Sequence, residues 1–242
     1  MMNKIECLKC SHAVVKNGKS RNGTQRYYCK VCKKYCQSSY RYRACAKDTN
    51  NKIATLLKES CGVRSIARIL KISAATVLKR ILSMGNSTMR PSVIVKGKEY
   101  EVDEMLTYIG NKKQLYWIVY ALRKDTREVI DFKVGKRTLK TLQRVTDTLL
   151  MSEAKMIYTD GYKFYKHIIP KEIHRISKYN INHIERFNLN LRTHLKRLGR
   201  KTICFSRSKA MLEACLKIYF WHSAHLFELA TLLKPDEPSA SQ

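Results

Sequence analysis

An α+β chain in three blocks is what the sequence predicts, and three observations carry it. Four cysteines come early in two close pairs, a stretch of helical periodicity follows, and beyond residue 98 three β-rich runs give way to alternating helix and strand signals.

Residues 1–46 read as a zinc-binding module. Cys7-x2-Cys10 and Cys29-x2-Cys32 lie 18 residues apart, the spacing of a zinc ribbon or knuckle. Between them "KNGKSRNGTQRYY" carries Asn-Gly twice, which marks tight turns between short strands. So small a segment buries too little apolar surface to stand alone, and one structural Zn2+ held by four thiolates would supply the missing folding energy. A redox pair or an iron–sulfur cluster are the other chemistries open to these thiols, with Cys36 and Cys45 to spare.

Residues 47–84 turn helical. "TNNKIATLLKES" has a capped helical pattern, and in "VRSIARILKISAATVLKRILS" Ile66, Ala67 and Leu70 recur at helical spacing before the short turn "KIS". Ser73 can then cap a second helix whose apolar set is Val77, Leu78, Ile81 and Leu82. The pattern is a helix-turn-helix, and its second helix would present Ser73, Thr76, Lys79 and Arg80 to the bases and phosphates of a major groove. A helical hairpin in any all-α protein reads similarly; the basic chain around this one favours DNA.

Residues 85–97 contain Gly, Pro and Ser and read as a linker. The block 98–233 opens with "KEYEVDEMLTYIG", "KQLYWIVYALRK" and "EVIDFKVG", an antiparallel meander. A helix around 137–152, the strand "KMIYTD", the loop or helix "GYKFYKHIIP", the strand "HRISKY" and a basic amphipathic helix over 181–201 follow. This is the order of a ribonuclease-H-like catalytic core with a mixed sheet and C-terminal helices. "AMLEACLKIYFWHSAHLFELATLL" reads as a core-packing helix in which His222 and His225 form a packed pair, and residues 234–242 read as a disordered tail.

Charge narrows the class of partner. Lys and Arg number 48 against 19 Asp and Glu, a net +29 spread along the whole chain, which is the electrostatic footprint of a nucleic-acid binder. There is no apolar run of membrane-spanning length and no signal peptide, so a cytoplasmic, nucleoid-associated protein without a membrane partner is expected.

Against that cationic background, three acids stand out by position. Asp103 sits in the first strand of the meander, where alternation groups it with Glu101 and Met105 and sends Val102 and Glu104 to the other face. Asp160 ends an apolar strand just before Gly161, and Glu185 begins the basic helix. In this element order all three converge at one edge of the sheet. Packed carboxylates repel unless a divalent cation sits among them, and Mg2+ or Mn2+, two ions roughly 3.5–4 Å apart, would suit in-line phosphoryl transfer. Asp125, Asp131 and Asp147 are less well placed, and His183 reads as a polar helix residue. Arg192 and Lys196 fall seven and eleven residues after Glu185, on nearly its helical face. With Arg197, Arg200 and Lys201 they would hold a phosphate backbone.

At this point the chain resembles a known family, the transposases of the insertion-sequence-one type. "CLKC" with "YYCKVC" is similar to their zinc module, "VRSIARILKISAATVLKRI" to their helix-turn-helix, "VDEM" and "YTDGY" to their two Asp segments, and "NHIERFNLNLRTHLKRLGRKT" with "CFSRS" to their Glu helix and its extension. The resemblance runs over residues 5–225. It implies an aspartate-aspartate-glutamate enzyme with Asp103, Asp160 and Glu185 as catalytic metal ligands, which recognises terminal inverted repeats, cleaves the ends and joins the 3′-hydroxyls to target DNA. Bringing two ends together implies a homodimer or larger assembly. Two other readings compete: a non-catalytic zinc and helix-turn-helix regulator, and a structure-specific nuclease of the same fold.

Overall fold

The computed structural model describes residues 5–7, 9–37, 42–46, 48–91, 95–177 and 179–222. At the N-terminus, β1 (Val15–Lys19), β2 (Gln25–Cys29) and β3 (Lys34–Gln37) form an antiparallel sheet. Only one of the two Asn-Gly pairs makes the turn between strands. Gly23, at φ +80°, closes the β1–β2 hairpin, whereas Gly18, at φ +65°, lies inside β1 where the register shifts between Lys16 and Lys19. Both uses draw on the same property, freedom from the Cβ clash at positive φ.

Three helices follow: α1 (Thr49–Lys58), α2 (Val63–Leu70) and α3 (Ala74–Ser87). Ile53, Ala54, Leu57, Ile66, Val77 and Ile81 bury their inward stripes. The α2–α3 turn passes through Lys71 in the left-handed region, and the Ser73 hydroxyl accepts the Thr76 N–H at 3.0 Å as the cap of α3. Leu78, expected in the core, is exposed. Val77 and Ile81 are a turn apart and face inward, so the residue after Val77 is rotated outward by about a hundred degrees.

α3 runs to Ser87, three residues into the stretch expected to be a linker. Its continuation is tertiary in origin: Gly85 lies so close to α7 (Lys209–Trp221) that a Cβ there would stand 2.5 Å from the Ala214 Cα. The helical block is therefore fused to the rest of the chain. One apolar cluster takes in Ile53, Ile66, Ile81 and Met84 together with Leu212, Cys215 and Leu216 of α7 and with Met105 and Ile118 of the main sheet. Lys58 Nζ also donates to the His222 carbonyl at 2.9 Å, and the Ser60 N–H to the His194 carbonyl at 2.8 Å.

The main sheet comprises β4 (Glu99–Ile109), β5 (Asn111–Arg123), β6 (Val129–Gly135), β7 (Met156–Thr159) and β8 (His174–Ile176), in the order β6-β5-β4-β7-β8. The first three are antiparallel neighbours; β7 and β8 run parallel to β4, so the sheet is mixed. α4 (Leu139–Met151) and the short α5 (Tyr165–Ile168) cover one face, packing Leu142, Val145, Leu149 and Tyr165 on Tyr100, Val102, Val119 and Ala121. The opposite face carries α6 (Asn182–His194) and α7.

The basic helix expected over 181–201 stops at His194. Leu195 leaves it at φ −110°, ψ 99°, and a single 3-10 turn over Lys196–Leu198 follows. Leaving the helix lets both Leu195 and Leu198 bury. Lys196 is thus no longer on the helical face of Glu185. Among the described residues no helix is long and apolar enough to cross a membrane. The expected continuation of the last helix to 233, His225 and the tail 234–242 all lie outside the described residues.

Candidate active site

β4 is the strand from which the site is built. Its parallel pairing with β7 ends at Val102 opposite Thr159, so Asp103 and Asp160 are the next residues on two adjacent strands that have just stopped pairing. Their carboxylates, with that of Glu104, have oxygens within 4.8 Å of one another. Asp160 Oδ1 accepts the Tyr162 N–H at 2.9 Å, a local turn about Gly161. Asp103 is held on both oxygens: Oδ1 accepts the Glu104 N–H at 2.7 Å, and Oδ2 accepts Asn188 Nδ2 at 2.6 Å. Burial raises the pKa of Asp103, and the charges of Asp160 and Glu185 add to the rise.

Glu185 comes to this edge on α6. The anchor is Glu101, fully buried on the same face of β4 as Asp103; it accepts the Ile184 N–H at 2.8 Å, and its other oxygen lies 2.7 Å from His183 Nδ1. A carboxylate at the first turn suits the positive end of a helix. Glu185 follows immediately, exposed, on the stripe that continues to Asn188 and Arg192. Its charge is felt at Asp103, but it stands outside the group of three acids whose oxygens share a 4.8 Å reach. The structure brings together Asp103, Asp160 and Glu104, with Glu185 further off. His183, read as a plain polar helix residue, is the partner of a buried carboxylate.

Glu104 leans toward the α5 side of the sheet. One of its oxygens pairs with Arg137 at 3.2 Å, and that guanidinium lies over the rings of Tyr162 (3.5 Å) and Trp117 (4.5 Å). Its carboxylate and the buried Tyr165 hydroxyl interact with each other, though Oε1 and that hydroxyl make no hydrogen bond of ordinary geometry among the described residues. Burial pushes the Glu104 pKa to about 7 in spite of Arg137, with Asp160 and Asp103 adding to the rise. Arg137 and Asn188 were not foreseen. Asn188 lies three residues after Glu185, a spacing that could have marked it; Arg137 follows β6 and carries no such signal.

The four N-terminal thiols converge as well. Cys7 and Cys32 Sγ are 3.4 Å apart, Cys10 and Cys29 3.5 Å, and all four lie within 4.8 Å of one another. A tetrahedral ion with sulfur bonds of about 2.3 Å separates its ligands by about 3.8 Å, so this set fits Zn2+ after a slight expansion. The N–H groups of Lys9 and Cys10 hold the Cys7 thiol down at about 6, while burial and the neighbouring thiols push Cys32 up to about 12, so the set shares its charge unevenly without a metal.

The residues expected to touch DNA divide. Lys79, Lys196, Arg200 and Lys201 are exposed. Ser73 and Thr76 are engaged in the α3 cap, where the Thr76 hydroxyl also lies 3.2 Å from that of Tyr42. Two expectations are corrected. Arg80 donates to Asn50 Oδ1 at 3.1 Å and to the Ala44 carbonyl at 2.8 Å, so it pins α3 to the segment before it. Arg197 is buried and donates to Ser206 Oγ at 2.8 Å, because the turn after α6 directs it inward. Arg192 is half-buried: it donates to the Leu198 carbonyl at 3.4 Å and lies in electrostatic reach of Asp103.

Comparison with known proteins identifies relatives of this arrangement. Residues 95–226 match the family described as IS1 transposase. The chain is 43% identical over 119 residues to the insertion element IS1 protein InsB of Shigella flexneri, covering 49% of this chain and 91% of that protein. It is 40% identical over 119 residues to the insertion element IS1 4 protein InsB of Escherichia coli K12, covering 49% of this chain and 71% of the relative. Among solved structures, a simian T-cell lymphotropic virus intasome in complex with PP2A regulatory subunit B56 gamma is a distant likeness, at 15% identity and a TM-score of 0.37 over 78% of this chain and 76% of that one. By the match over more than half its length, the chain belongs to the IS1 transposase family.

Proposed function

We propose that this chain is a DNA transposase that cleaves the ends of its element and joins the freed 3′-hydroxyls to target DNA. The observation that carries the reading is the meeting of Asp103 and Asp160 where β4 and β7 stop pairing, with Glu185 delivered to the same edge by α6. The strand order, with an antiparallel β4–β6 meander and β7 and β8 parallel to β4, supports a ribonuclease-H-like core.

Asp103 and Asp160, with Glu185, are the residues that would hold Mg2+ or Mn2+. The chemistry of the donor set fits, because hard oxygen ligands gain from a divalent cation, and Asp103, whose pKa is raised by burial and further by the charges of Asp160 and Glu185, gains more than an exposed carboxylate would. Two such ions would help generate the attacking hydroxyl and stabilise the leaving oxygen. The chain's own residues do the rest: the Glu104 and Tyr162 N–H groups aim the two aspartates, and the fully buried Glu101 fixes the helix that brings Glu185.

The partner is double-stranded DNA, first the terminal inverted repeats and then the target, on the bacterial nucleoid. The net charge of +29 supports it, as do the exposed Lys196, Arg200 and Lys201 beyond α6. α1–α3 would act as a helix-turn-helix with Lys79 toward the groove, and the Cys7, Cys10, Cys29 and Cys32 set as a structural zinc site. Pairing two ends calls for a homodimer or a larger assembly. The test is cleavage and strand transfer on DNA bearing the inverted repeats. Asp160→Ala and Glu185→Gln should lose both reactions, and full activity in either would overturn the assignment.

A further inference from the structure

We infer that Asn188 is a positioning residue for Asp103, and that Tyr120 makes it one by fixing which end of its amide faces the acid. This rests on the reading of Asp103 as a metal ligand. A side-chain amide has a donor end and an acceptor end, and only the donor end can sit against a carboxylate. The Tyr120 hydroxyl, buried within the sheet, donates to Asn188 Oδ1 at 2.9 Å, and the Ile184 carbonyl at 3.2 Å is the longer arm of the bond its single proton shares. With Oδ1 engaged there, Nδ2 is left to donate to Asp103 Oδ2 at 2.6 Å. The reverse orientation would set the amide oxygen against the Asp103 carboxylate and leave the Tyr120 proton only the longer contact to the Ile184 carbonyl.

The second oxygen of Asp103 is fixed by the Glu104 N–H at 2.7 Å, so neither end of the carboxylate is free to rotate. The Asn188 bond also sets the helix. Glu101 and Asp103 are two residues apart on β4, about 6.6 Å. Their partners Ile184 and Asn188 are four residues apart on α6, about 6 Å. Strand and helix thus run in step, and the bond that aims Asp103 also holds the helix carrying Glu185. Groups that orient a metal ligand in this way influence affinity without touching the ion.

The experiment titrates Mn2+ into zinc-loaded full-length protein and reads the affinity by calorimetry. Wild type is compared with Asp103→Ala, Asn188→Ala, Tyr120→Phe and the Asn188→Ala/Tyr120→Phe double variant, with the melting temperature of each recorded in chelator. Asp103→Ala should abolish the site. Asn188→Ala and Tyr120→Phe should each weaken Mn2+ binding by about tenfold or more. The double variant should lose less than the sum of the two single losses, because Tyr120 reaches Asp103 through Asn188, and simple additivity would count against the inference. A melting temperature lowered without a change in affinity would overturn the inference and leave Asn188 a structural residue. Tyr120→Phe keeps the ring and the packing, so it stands as a second probe if Asn188→Ala fails to fold. Wild type and Asp103→Ala binding alike would instead overturn the metal-ligand reading itself, and this inference with it.

Discussion

Replacing Gly85 by alanine pits two calculable effects against each other. In an exposed helix the change would stabilise by about 1 kcal/mol, because glycine is the poorer helix former. Gly85 is in the last turn of α3 with no positive φ to relieve. The new Cβ, however, would lie 2.5 Å from both the Cα and the Cβ of Ala214, where carbon atoms ordinarily meet at about 3.5–4.0 Å. One of the two atoms is backbone, so no rotamer change relieves the clash, and α3 and α7 must part by about 1 Å or more. Overpacking of that kind costs about 1–3 kcal/mol, here at the upper end, which leaves a net loss of about 2 kcal/mol, or roughly thirtyfold in the folding equilibrium. Urea unfolding of wild type, Gly85→Ala, Ala214→Gly and the double variant measures both the loss and its origin. The double variant should recover only part of the loss, since removing the Ala214 Cβ relieves one clash and leaves the backbone atom behind it still in the way. A Gly85→Ala protein as stable as wild type, or more so, would refute the close crossing.

Three further outcomes follow from the electrostatics and hydrogen bonding. Glu104 is held near pH 7, above the 4.5 of an ordinary glutamate, so the folded chain keeps its proton where the unfolded chain has lost it. In the metal-free protein that contribution to stability is complete below about pH 4.5 and is lost as the pH rises through about 7. Mn2+ should therefore raise the melting temperature more at about pH 7.5 than at about pH 5.5, and equal gains at both would contradict the coupling of these acids. Arg197→Ala should destabilise by about 1–3 kcal/mol while leaving the salt dependence of DNA binding as in wild type, since its guanidinium is spent on Ser206. Arg200→Ala should do the opposite, lowering the log–log salt slope by about one with no change in the melt; a reversal of these two results would restore Arg197 to the DNA surface.

What could be read from the sequence was what local periodicity encodes. The period-two runs of the meander, the Asp160-Gly161 strand end and the Cys-x2-Cys pairs all lie within a few residues of the structure they specify. What could not be read depends on partners far along the chain. α6 stops at His194 because Leu195 and Leu198 have buried places to fill, and nothing between residues 181 and 201 announces those places. Arg197 and Arg80 look like their exposed neighbours until Ser206, Asn50 and the Ala44 carbonyl are placed beside them. Gly85 reads as a linker residue only while Ala214 is out of view. Asn188 shares a helical stripe with Glu185, yet its role needs Tyr120 from a different strand.

The crossing of α3 and α7 also sets an order of events at the ribosome. The flank of α3 that will cover Ala214 is made first and must wait for roughly 130 more residues, on the order of ten seconds of synthesis, before its partner exists. During that interval the three helices expose apolar surface that α7, later in the same polypeptide, helps to cover. A chain interrupted before α7 would leave part of that surface bare, so completion of the helical block is a late step, contingent on the main sheet having been made.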